Sequence, residues 1–161
     1  AVDTADEFLE TAGEKTDVIF FDLPGTVGNA GVLKSIANMD YIFTPIIADR
    51  IVLESCLSFA DAVHKNLVGK NGIRLKALSL FWNRVDGREK TDLYQLFEKA
   101  IGELGLPLMK TFVPDTKRYN KELSGEKKAV FRSTLFPADK RLMKGSNLEE
   151  LMNEILETIK L

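Results

Sequence analysis

Four short apolar runs, set between amphipathic stretches, constrain this chain more than any other feature of its sequence. They are Asp17-Val-Ile-Phe-Phe-Asp22, Tyr41-Ile-Phe-Thr-Pro-Ile-Ile47, Ile73 to Trp82 and Leu108 to Val113. Each has strand length, and the first is β-branched and aromatic throughout. A strand without a polar face needs cover on both sides, which is the condition of a parallel sheet between two helical layers. Pro24-Gly25 ends the first run, and Pro45 sets a ladder break near the end of the second. The expected architecture is one α/β domain over residues 1–161, a doubly wound, mainly parallel sheet with helices on both faces.

The stretches between the runs carry helical periodicity. Leu53, Cys56, Leu57, Ala60 and Leu67 share one face. Leu93, Leu96, Phe97, Ala100, Ile101 and Leu104 form a second core-facing stripe, with Gly105 where a helix stop is expected. Ser146-Asn-Leu-Glu149 has the pattern of a capping box, in which the serine oxygen takes an orphan amide and the glutamate reaches back. Behind it, Leu148, Leu151, Met152, Ile155, Leu156 and Ile159 make the apolar face of a C-terminal helix.

Composition narrows the function classes. At 45% hydrophobic residues and a net charge of -2, the 161-residue chain is too apolar for disorder. No apolar stretch reaches the ~18 residues that span a bilayer, and the acidic opening Val2 to Thr16 does not read as a signal peptide. One cysteine, Cys56, and one histidine, His64, exclude an internal disulfide and a zinc module, so a cytoplasmic protein is expected. Cys56 reads as a buried thiol, His64 as a solvent-facing helix residue, and Phe81 and Trp82 as core. Charge is unevenly spread: residues 1–66 hold 11 acidic and 4 basic side chains, and residues 117–144 hold 9 basic and 3 acidic. Such asymmetry fits either a polyanion-facing patch or a solvated mixed surface.

The segment Asp22-Leu-Pro-Gly-Thr26 follows an apolar run, on the rim where open α/β sheets bind ligands. A carboxylate there can hold Mg²⁺ directly or through water, and a glycine amide can approach a terminal phosphate without a Cβ in the way. An ordinary Asp-x-Pro-Gly turn has the same residues. Haloacid-dehalogenase-like phosphatases carry Asp-x-Asp-Gly-Thr at this place, but Pro24 stands where their second aspartate, the general acid, belongs.

Taken with Tyr41-Ile-Phe-Thr-Pro-Ile-Ile, Phe81-Trp-Asn-Arg-Val-Asp86 and Phe112-Val-Pro-Asp115, in order and spacing, this segment resembles the latter part of the ParA/MinD partition ATPases. Val85-Asp-Gly-Arg-Glu-Lys-Thr-Asp-Leu-Tyr94 and Phe131-Arg-Ser-Thr-Leu-Phe-Pro-Ala-Asp139 are similar to the ParA-type proteins of conjugative transposons, called TraA. The likeness runs from Asp17 to Leu161. It implies a Rossmann-like, partial P-loop NTPase fold with ATP and Mg²⁺ as cofactors. Asp22 would orient magnesium through water, Gly25 would approach the γ-phosphate, Asn83 would meet the adenine edge, and Pro114 and Asp115 would form the other wall of the base and ribose pocket.

The same resemblance implies DNA partition or transfer as the setting, with a second ATPase subunit, a partition or transfer protein and nonspecific DNA as partners. Basic side chains in the last third would touch phosphates weakly and salt-sensitively, with Lys127, Lys128, Arg132 and Lys140 the candidates.

The chain departs from that family in one large respect. No G-x-x-x-x-G-K-[ST] loop occurs in it, and that loop supplies the amides and lysines that hold the phosphates. Its first residue is Ala1, so the expectation is the C-terminal part of an ATPase, inactive by itself. The alternative is a non-enzymatic DNA- or protein-binding module on the same fold. The missing phosphate-loop strand would lie between the runs at 17–22 and 41–47, so these are expected to pair directly or to have the gap filled.

Overall fold

A computed structural model describes residues 16–23, 30–88, 91–116 and 140–161. In chain order it holds helix α1 (Ala30–Asn38), strand β1 (Tyr41–Ile46), helix α2 (Arg50–Asn66), strand β2 (Ala77–Trp82), and helices α3 (Thr91–Glu103), α4 (Lys140–Met143) and α5 (Leu148–Ile159). Of the sequence expectations, a mixed α/β fold with parallel pairing is present.

Two of the four apolar runs become β1 and β2, parallel and in register from Tyr41↔Ala77 to Ile46↔Trp82. Helix α2 is the crossover between them. The Asp49 carboxylate starts it by accepting from the Val52 amide at 3.0 Å, which satisfies one of the donors a helix leaves open. Pro45 is tolerated for a specific reason. The Ile46 carbonyl accepts from the Asn83 amide on the β2 side, so the neighbouring Pro45 faces the outer edge, where its missing N–H breaks no bond.

The fourth run lies on the opposite side of β2. Residues 107–115 run parallel to it, but as two isolated bridges, Leu80↔Leu108 and Val85↔Pro114, rather than as a continuous strand. Helix α3 connects β2 to this segment and ends in a Schellman turn. Gly105 is left-handed at φ 67, its amide bonds Gly102 O, and the Leu106 amide bonds Ile101 O. The helix stop expected at Gly105 is present.

Side chains alternate across the sheet. Leu78, Leu80 and Trp82 of β2 join Ile46, Leu53, Ala60, Val63 and Ile101 in the main core, and Phe43 and Phe81 point the other way onto Met109, Val113, Leu151 and Ile155. Helices α2 and α3 therefore cover one face and α5 the other, as two-sided apolar strands require. Trp82 anchors the α3 face, edge-on to Tyr94 at 5.0 Å, with its Nε1 donating to Glu98 at 3.0 Å.

Several expectations need correction. The run Asp17–Asp22 is not a strand: no ladder ties it to β1 among the described residues, Phe20 is 61% exposed, and it is Leu23, just past the run, that packs on the main core. Apolar composition supplies propensity, but a strand exists only where a neighbour takes its backbone bonds. The expected direct pairing with β1 is likewise not seen among the described residues.

The α3 stripe is narrower than its periodicity. Tyr94, Phe97 and Ile101 turn inward to Trp82 and the core, and Leu93, Leu96 and Leu104 are exposed. The capping box is not formed either. Ser146 Oγ accepts from the Leu148 amide, not from Glu149, and donates to Met143 O. Asn147 occupies the cap position with φ 55, and its side chain donates to Phe112 O instead of to the helix. On α5, Leu151 and Ile155 are buried and Met152 is exposed. Cys56 and His64 are each half-buried, and burial pushes the Cys56 thiol up.

Candidate functional site

The carboxyl ends of β1 and β2 make a rim, and two irregularities build it. Along β2, even-numbered residues bond the 107–115 segment: the Leu80 amide donates to Pro107 O, Leu80 O accepts from Met109 and Trp82 O accepts from Val113. Odd-numbered Asn83 bonds β1 through Ile46 O at 2.7 Å. By that alternation Val85 would also face β1. It does not: the Val85 amide donates to Val113 O at 3.0 Å, and Val85 O accepts from Asp115 at 2.8 Å.

Arg84 is the cause. It sits in the left-handed region at φ 55, which a non-glycine residue adopts at a cost of about 1–3 kcal/mol, and there it acts as one extra residue in the ladder. The backbone turns over at this point, and Val85 comes to face Val113 and Asp115.

The second irregularity lies on the opposing segment. Between the bonds to Leu80 and Trp82, two residues apart on β2, the chain advances from Met109 to Val113. The two residues in excess put the Lys110 and Thr111 amides outside the ladder. Both oxygens of the Glu154 carboxylate take them, at 2.8 Å each. These bonds, with the charge of Lys110, hold Glu154 below its ordinary value against the opposing effect of desolvation, the largest single influence on it.

At the rim Asn83, half-buried and bonded to β1 through its amide, stands two residues before Val85, which bridges Pro114 and accepts from the Asp115 amide. Arg84 Nε stands 3.9 Å from Asp115 Oδ1, a loose pair between exposed side chains. Next to it, the Arg88 guanidinium grips Asp86 at 2.8 Å, and hydrogen bonds from that side chain and from the Arg88 amide hold the Asp86 carboxyl down to about 2. The rim thus carries the half-buried Asn83 and two Arg–Asp pairs.

Of the residues expected at a site, Pro114 and Asp115 are tied to Val85, two residues past Asn83 in the chain. Asp22 is exposed, and no ladder bond ties its segment to the rim among the described residues. Gly25, Lys127, Lys128 and Arg132 lie outside the described residues, and Lys140 opens α4 as an exposed side chain. Among the described residues no three His, Cys, Asp or Glu side chains converge. No helix among them is long and apolar enough to cross a membrane.

Arg84 and Glu154 carry much of this geometry, and neither had a sequence signal: a left-handed arginine has no motif, and Glu154 is one acidic residue among several on an amphipathic helix. The chain matches no protein-family model, no curated protein and no solved structure.

Proposed function

We propose that this chain is the C-terminal portion of a ParA-like ATPase serving partition or transfer of a mobile DNA element, and that it carries the base-binding side of the nucleotide pocket. The observation that carries the reading is the junction of Val85, two residues past Asn83, with Pro114–Asp115 at the carboxyl rim of a parallel sheet, where open α/β sheets take their ligands. Asn83 and Asp115 are 32 positions apart in the sequence, and the Val85↔Pro114 bridge lies two residues past the first and one before the second. On this reading the adenine edge bonds the Asn83 side-chain amide, and the ribose lies against Pro114 and Asp115. Asp22 would still orient Mg²⁺ through water and Gly25 approach the γ-phosphate, but the loop whose amides and lysines hold the phosphates is not in this sequence, so turnover by this chain is not part of the proposal. Weak phosphate contacts from Lys127, Lys128, Arg132 and Lys140 would bring duplex DNA to the same protein.

The test is calorimetry with ATP and Mg²⁺ alongside an assay for released phosphate. A chain without the amide cradle should bind no tighter than roughly millimolar and release no phosphate above background. Micromolar affinity or measurable turnover would overturn the proposal.

A further inference from the structure

We propose that Glu154, far along the C-terminal helix in sequence, is the positioning residue that brings Asp115 to the rim. The inference rests on the reading of the rim as a nucleotide-binding wall. A two-residue excess in a strand leaves backbone amides without ladder partners, and such groups are costly unless something else takes them. Here one carboxylate takes two successive amides, Lys110 and Thr111, with one oxygen each. From the start of the same helix, the Asn147 side chain donates to Phe112 O at 2.9 Å. Helix α5 thus satisfies three polar groups of the three-residue excursion, and the chain rejoins β2 at Val113.

Everything downstream depends on that rejoining. The Val113 amide bonds Trp82 O, Val113 O takes the Val85 amide, and the Asp115 amide reaches Val85 O. Without the clamp, the segment would relax by drawing residues through the excursion, and a one-residue slip would turn Asp115 to the other face. The clamp is in turn fixed by packing, since Leu151 and Ile155 flank Glu154 on the helix and bury against Met109 and Val113. The contacts on either side of the excursion and the carboxylate opposite it form one unit.

Glutamine keeps the shape of the side chain and replaces one acceptor oxygen by a donor, so Glu154→Gln tests the carboxylate without opening a cavity. Native-state amide exchange by NMR is the readout. In Glu154→Gln the amides of Val113 and Asp115 should exchange about tenfold faster or more, together with Lys110 and Thr111, and the amides of β1 should not change. Acceleration confined to Lys110 and Thr111 would overturn the proposal.

A pH titration of the wild-type amide shifts gives a second readout. Lys110 is the charged group acting on Glu154 from the strand side, and Glu150 and Glu157 precede and follow it on its own helix. Lys110, Thr111 and Val113 should share one midpoint below the ordinary glutamate value, and Glu154→Gln should abolish it. Retention of that midpoint in the variant contradicts the proposal. The nucleotide reading is decided separately, by ATP titration of the wild type on the same spectra: failure to move the rim resonances removes the ligand but leaves the exchange result standing.

Discussion

The two flanks of β2 are built differently. On the β1 side six consecutive pairs run in register along an unbroken backbone ladder. On the 107–115 side the ladder breaks twice, at Arg84 and at residues 110–112, and side chains from α5 replace the missing bonds. The regular flank carries no candidate ligand group except at its end. The irregular flank delivers Pro114 and Asp115 to the rim. Regular pairing gives stability without aiming particular side chains, whereas an interrupted ladder can aim them at the cost of needing an outside clamp.

That contrast can be broken at several points. The largest effect should come from the strand both flanks share. Leu80 is fully buried in the main core, and Leu80→Ala should cost about 2–5 kcal/mol, lowering both flanks together in a denaturant titration. A change that reached one flank only would contradict a common core.

Glu154→Ala comes next. Two hydrogen bonds to a charged acceptor are lost, each amide is left unsatisfied, and about 1.5–3 kcal/mol of stability should go with them. The sign of its pH dependence follows from the lowered value in the fold. The contribution is fully present above the ordinary glutamate value of 4.5 and is lost as pH falls through the lower folded value. Denaturation midpoints measured from pH 7 to pH 3 should therefore converge between wild type and Glu154→Ala at the acid end, and parallel curves would sink this assignment.

Asp49→Ala removes the cap of α2 and tests the other flank, with an expected cost of about 1 kcal/mol. Its effect on exchange should appear in α2 and β1 and leave Val113 and Asp115 unchanged. Arg84→Gly should have the smallest effect. Glycine relieves the left-handed strain at φ 55 but adds freedom to the unfolded chain, and the two roughly cancel to within about 1 kcal/mol. Arg84→Val, which cannot take that conformation cheaply, should be clearly less stable than Arg84→Gly in the same thermal melt.

These elements also mark how far the sequence could be read. The apolar runs at 41–47 and 73–82 became β1 and β2, and Gly105 stopped α3, because local signals there agree with the packing. The run at 17–22 reads as apolar as either strand and is not one, since pairing depends on a neighbour that no local pattern encodes. Ser146 and Glu149 matched a capping box, yet Asn147 took the cap position and bonded Phe112, 35 residues away. At the rim, Asn83, Pro114 and Asp115 were legible as motif residues. The devices that join them were not, because a left-handed residue and a carboxylate clamp over 43 and 44 positions are tertiary properties.

The most direct test of the central claim is ATP titration of the ¹⁵N-labelled chain, followed through its amide and side-chain amide resonances. Saturable shifts in the roughly millimolar range, as expected without a phosphate cradle, should appear at the Asn83 side-chain amide and the amides of Val85 and Asp115, with adenosine giving the same pattern. No shift at these three positions, or shifts confined to another part of the molecule, would contradict that claim.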